Sequence, residues 1–86
     1  MSGVTILVRY FAAARAAAGV DEEKLAVADG ASVADVLAAV RAEHDADLAR
    51  VLARCSYLLD EVAVRDLDAP VGAATTLDVL PPFAGG

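Results

Sequence analysis

The sequence predicts an α+β domain in which one main helix packs across a mixed sheet. Three features predict it. Residues 4–11 alternate as a strand, a capped amphipathic helix opens at Val33, and further extended runs follow that helix up to Leu80.

In the first run, Val4, Ile6, Val8 and Tyr10 alternate with Thr5, Leu7, Arg9 and Phe11. The period of two and the β-branched and aromatic content make this a strand. Thr5 and Arg9 share the odd set, so the even set faces the core and Leu7 and Phe11 stay partly exposed. Ala12 to Ala18 has the composition of a short helix, closed by Gly19, which tolerates the left-handed conformation common just past a helix end. Residues 23–28 alternate again, with Leu25 and Val27 inward, and pair with the first strand.

Asp29-Gly30 marks a turn, and Ser32 with Asp35 forms a capping box with Asp in place of Glu or Gln. The main helix starts there. Val33, Val36, Leu37 and Val40 fall at i, i+3, i+4 and i+7, one stripe along its side. Leu48, Val51 and Leu52 repeat that spacing for another turn or two. Tyr57, Leu58 and Leu59, then Val62 and Val64, flank Asp60-Glu61 as a hairpin. The last strand is Thr75 to Leu80, with Leu77 and Val79 on one face and Asp78 and Leu80 on the other. Pro81 and Pro82 then fix φ and remove two backbone donors, so the chain divides into a domain, 1–80, and an extended tail, 81–86, projecting from the sheet.

Composition excludes several functions. A chain of 86 residues buries only about 60% of its unfolded surface, leaving little core for a deep catalytic cavity. Thirteen acidic side chains against seven basic ones give a net charge of −6, with no basic stripe to neutralise phosphates. Nucleic acid is therefore not an expected partner, and basic protein surfaces are. No apolar run approaches the roughly 18–20 residues that span a bilayer. Cys55 is the only cysteine and permits no internal disulfide, and MSGVTILVRYF lacks the features of a secretory signal, so a cytoplasmic location is expected.

Ordinary catalytic material is scarce. His44, the single histidine, lies between Glu43 and Asp45 and reads as a solvated residue at a helix end. It has no second ligand at metal-binding spacing. Cys55 has no adjacent cationic group to activate it and reads as a small buried residue. Asp60, Glu61, Asp66 and Asp68 read as a solvated rim rather than a metal site. The final residues are different. Gly85 and Gly86 place an α-carboxylate on a slim arm that could thread into a narrow site on another protein. Condensed with ATP, such a carboxylate becomes an acyl-adenylate open to a sulfur or nitrogen nucleophile. The terminus would be substrate rather than catalyst.

Leu80-Pro81-Pro82-Phe83-Ala84-Gly85-Gly86, together with Phe11-Ala12-Ala13-Ala14-Arg15 after the first strand, resembles the MoaD/ThiS family of ubiquitin-like sulfur carriers, and MoaD in particular. The resemblance implies a β-grasp fold. It also implies a carrier with no bound cofactor and no catalysis of its own, the small subunit of molybdopterin synthase. In that role a MoeB-like activating enzyme uses ATP to adenylate Gly86, a persulfide relay makes the thiocarboxylate, and a MoaE-like large subunit takes the sulfur to build molybdopterin. Gly85 keeps the arm slim, Pro81, Pro82, Phe83 and Ala84 complete the tail, and Phe11, Arg15 and Leu80 fall on the partner-facing surface. Ala16, Asp60-Glu61, Gly72-Ala73-Ala74-Thr75 and Phe83 depart from the usual MoaD residues. Related carriers serve cysteine, thiamin or tRNA thiolation, or modify proteins.

Overall fold

The computed structural model describes residues 3–74 and 76–82. Strand β1 (Gly3–Tyr10) runs into helix α1 (Ala12–Ala18), then β2 (Glu22–Ala28), α2 (Val33–Glu43), α3 (Ala46–Leu52), β3 (Ser56–Leu59), β4 (Val62–Ala63) and β5 (Thr76–Leu80). The sheet order is β2-β1-β5-β3-β4. β1 and β5 pair in parallel, and the other neighbours are antiparallel. This is the expected mixed sheet, and its central strand is the one that leads to the tail.

The even residues of β1 point inward as their alternation requires: Ile6 and Val8 are fully buried and Tyr10 nearly so. Leu77 and Val79 of β5 join them from the next strand. Across this face lies α2, whose Val33, Val36, Leu37 and Val40 are all buried. Leu48 and Leu52 of α3 close the same core. Leu25 and Val27 of β2 pack at its margin.

The start of α2 is fully tied down. Ser32 Oγ accepts from Asp35 N–H at 3.1 Å, and Asp35 Oδ2 accepts from Ser32 N–H at 2.9 Å, the expected capping box. Val33 and Ala34 N–H donate to the carbonyls of Ala69 and Leu67. Of the first-turn donors that a helix leaves orphaned, two are thus satisfied by the loop that precedes β5 and a third by Ser32. At the end of α1, Gly19 takes the left-handed φ of 79° and donates to Arg15 O. The β3–β4 connection is a two-residue turn in which Asp60 and Glu61 are both left-handed, at φ 46° and 70°. Asp60 holds that geometry from its side: its Oδ1 accepts from Thr76 N–H, and its own N–H donates to Thr76 O, each at 2.9 Å.

Candidate functional site

β5 is flanked on both sides, so it delivers the chain's end from the middle of the sheet. Leu80 pairs with Ser56 and is half-buried, Pro81 is half-buried and Pro82 is exposed. Phe83, Ala84, Gly85 and Gly86 lie outside the described residues. Because β1 runs parallel to β5, the end of β1 arrives at the same corner. Phe11 N–H donates to Val79 O at 3.2 Å, and Phe11 is 39% exposed, a large apolar residue left open to solvent. Ala12 follows with φ 50°, a left-handed alanine that turns the chain sharply into α1. One helical turn on, Arg15 N–H returns to Phe11 O, and the exposed Arg15 side chain lies 3.8 Å from Asp21. Phe11 and Leu80 thus share the corner from which the tail departs, with Arg15 beside them.

The outer face of the sheet extends from this corner. One row of paired residues crosses all five strands: Glu22, Arg9, Asp78, Leu58 and Ala63. Arg9 Nε and Nη2 donate to the two oxygens of Asp78 at 2.6 and 2.8 Å, a bidentate pair. Asp78 holds the guanidinium pKa above its usual value, with Glu22 and Glu61 adding to the effect. The Arg9 guanidinium also sits 5.9 Å from the centre of the Phe11 ring. Leu7, Leu58 and Leu80 surround the pair, each half-buried. Sequence reasoning missed the Arg9–Asp78 contact. Its signal was two opposite charges in the outward phase of strands that are otherwise apolar, which become neighbours only once the first and last strands are known to pair.

His44 corrects an expectation. It caps the C-terminus of α2 in an extended conformation rather than facing solvent, and its ring is largely covered. Its Nε2 lies 2.5 Å from Glu23 Oε2. The Tyr10 hydroxyl donates to the same oxygen, and the two rings meet edge-on at 6.0 Å. The cause is register: Glu23 shares the inward phase of β2 with Leu25 and Val27, opposite Val8, so its carboxylate needs partners under the edge of α2. Burial, reinforced by Glu23, pushes the Tyr10 hydroxyl pKa well above its ordinary value.

Cys55 is half-buried one residue before β3, and its thiol donates to Val51 O. Burial raises its pKa, which disfavours the reactive thiolate. Among the described residues no cluster of three or more His, Cys, Asp or Glu side chains could hold a metal, and no helix is long and apolar enough to cross a membrane. A groove of about 720 Å³ between α1 and α3 is lined by Ala13, Ala16, Ala17 and Val51, with Asp47, Arg50 and Arg54 at its rim. It offers no nucleophile.

Known proteins share this fold. The ThiS family profile matches residues 8–86. The molybdopterin synthase sulfur carrier subunit of Chlamydomonas reinhardtii is 37% identical over 82 residues, covering 94% of this chain and 98% of that protein. The crystal structure of SAMP1, a small archaeal modifier protein from Haloferax volcanii, superposes with a TM-score of 0.84 at 26% identity, covering 96% of this chain and all of that one. A chain of the complex of subunits 1 and 2 of molybdopterin-converting factor from Helicobacter pylori has a TM-score of 0.63 at 23% identity over 96% of this chain and 100% of that one, a likeness of fold. With the β-grasp sheet, the outer face and the profile match all in place, the chain belongs to the ThiS/MoaD family of ubiquitin-like carrier proteins.

Proposed function

We propose that this chain is the sulfur carrier and small subunit of a molybdopterin synthase. One observation carries the proposal: 37% identity to a molybdopterin synthase sulfur carrier subunit over almost the full length of both proteins. In this reading Gly86 is the reacting residue. A MoeB-like activating enzyme supplies ATP and joins the Gly86 carboxylate to AMP, releasing pyrophosphate. The outer sulfur of a persulfide then displaces AMP to form an acyl disulfide, and a second thiol cleaves its S–S bond, releasing the thiocarboxylate and leaving a disulfide on the sulfur donor. The carrier supplies presentation. Gly85 keeps the arm slim at the reacting carbonyl, Pro81 and Pro82 restrict the backbone where it leaves β5, and Phe11, Leu80 and Arg15 form the docking corner. A MoaE-like large subunit covers the outer face and draws the tail into its own site; that the Helicobacter pylori structure is a complex of subunits 1 and 2 of molybdopterin-converting factor supports a two-subunit assembly. The reactions belong to the cytoplasm, where ATP and thiols are at hand.

Intact-mass measurement tests this directly. After co-expression with the activating enzyme and a sulfur source, the chain gains the mass of one oxygen-to-sulfur exchange. No change, with the activating enzyme shown to be competent, contradicts the proposal. The likeness to SAMP1 favours a second reading, in which Gly86 is joined to lysines of target proteins. That reading predicts a ladder of heavier conjugates in cell extracts. A related carrier for cysteine, thiamin or tRNA thiolation would instead be captured by its own acceptor enzyme in preference to a MoaE-like subunit.

A further inference from the structure

The outer face carries a feature that purely apolar docking does not need. Asp78 is only 4% exposed, and both of its oxygens are taken by Arg9. A guanidinium has five N–H groups, and this pairing uses one on Nε and one on Nη2. The remaining three meet no acceptor among the described residues, while the Arg9 side chain keeps 38% of its surface open. Water satisfies them in the free carrier. A partner that covers the face removes that water, and any donor then left without an acceptor weakens the complex.

We infer that Arg9 is the residue that selects the partner at this face: it accepts only a protein surface that sets a main-chain carbonyl against the guanidinium while covering Phe11, Leu58 and Leu80. The inference rests on the docking reading above. Charge decides between acceptors. Asp78 already neutralises Arg9, Glu22 stands opposite it in the register, and the chain as a whole carries −6. A partner carboxylate would be one more negative group in that neighbourhood, whereas a carbonyl oxygen adds no charge. Held in a fixed plane by Asp78 and seated near the Phe11 ring, the fork loses little freedom when it docks. A surface lacking an acceptor at that point is rejected, because the site leaves its own donors unpaired.

The test compares wild type with Arg9→Lys and with the double variant Arg9→Met/Asp78→Val, using the MoaE-like large subunit from the same organism as the probe. Arg9→Lys keeps a charge beside Asp78 but lacks the outward fork. The double variant removes both charges together, so it leaves no buried carboxylate unpaired and folds even if the lysine variant does not. Calorimetric titration is expected to show affinity falling roughly tenfold or more in both variants, with melting temperatures close to wild type. Binding within about twofold of wild type in the folded variants overturns the inference while leaving the docking reading standing. Failure of wild type itself to bind removes the docking reading, and the role of Arg9 with it. A steep loss of affinity with added salt in wild type, absent in Arg9→Met/Asp78→Val, would place a carboxylate opposite Arg9 and overturn the carbonyl assignment.

Discussion

The two faces of the sheet are built from alternate residues of the same strands, yet they do different work. On the inner face Ile6, Val8, Tyr10, Leu77 and Val79 are at most 2% exposed beneath α2 and α3. On the outer face their immediate neighbours Leu7, Arg9 and Leu80 keep part of their surface, and the buried Asp78 is held by an arginine rather than by a core. Burying a large aliphatic side chain contributes roughly 1.5–3 kcal/mol, so folding free energy is concentrated on one side. The other side is left partly open. If the outer face is the docking surface proposed above, a carrier of this size needs that division, because a surface kept for a partner cannot also serve as core.

Substitutions that treat the two faces alike should expose the difference. The largest effect is expected at Ile6→Ala, which empties a fully buried site and costs about 2–5 kcal/mol, a large share of a small domain's stability. Chemical denaturation measures it. The matching outer-face change, Leu58→Ala, is expected to cost less than about 1 kcal/mol in the same assay, because Leu58 is only half-buried, while weakening binding to the large subunit. Equal losses of stability at both positions would erase the distinction.

High pH probes the inner face through its tyrosines. Both tyrosines lie there, and both have raised pKa values: Tyr57, whose hydroxyl donates to Leu52 O at 2.6 Å, is pushed up to about 12 chiefly by burial, and Tyr10 is also raised. A phenol whose folded value exceeds its unfolded value of about 10 favours the native state fully below that unfolded value. The contribution is then lost as pH rises towards the folded value. Stability should therefore decline above pH ~10, and phenolate absorbance should develop together with loss of structure. Phenolate formation near the ordinary tyrosine value in a folded chain would contradict the inner-face packing.

Smaller changes sharpen the account at the margins of the sheet. Ser32→Ala removes the hydroxyl that caps Asp35 N–H and should lower stability by about 1 kcal/mol in thermal melts. Glu61→Gly relieves a left-handed glutamate at φ 70° and should raise stability by about 0.5–1 kcal/mol, since glycine adopts that conformation without steric cost. The same pair of melts measures both, with opposite signs.

Much of this arrangement was legible from local pattern. The inward set of β1, the capping box at Ser32, Gly19 at the end of α1 and the turn at Asp60-Glu61 each follow from residue type and spacing over a few positions. The β-grasp family was legible from the tail together with the Phe11–Arg15 segment. What escaped were contacts between residues far apart in the chain. His44 looked solvated because it stands at a helix end with no second ligand at metal-binding spacing, but its partner Glu23 lies on β2 and is brought to it by the packing of α2. Arg9 and Asp78 are 69 positions apart, and only the parallel pairing of β1 with β5 makes them neighbours. Phe11 and Leu80 were legible as outward residues, and the structure adds the hydrogen bond from Phe11 to Val79 O that sets them at one corner.

The central claim is that the folded domain presents a terminus whose chemistry is performed elsewhere. Removing Gly86 alone tests it most directly, with melting temperature and sulfur transfer to the large subunit measured on the same preparation. The account predicts an unchanged melt and no transfer. Transfer that persists without Gly86, or a domain that loses its fold with it, would contradict the account.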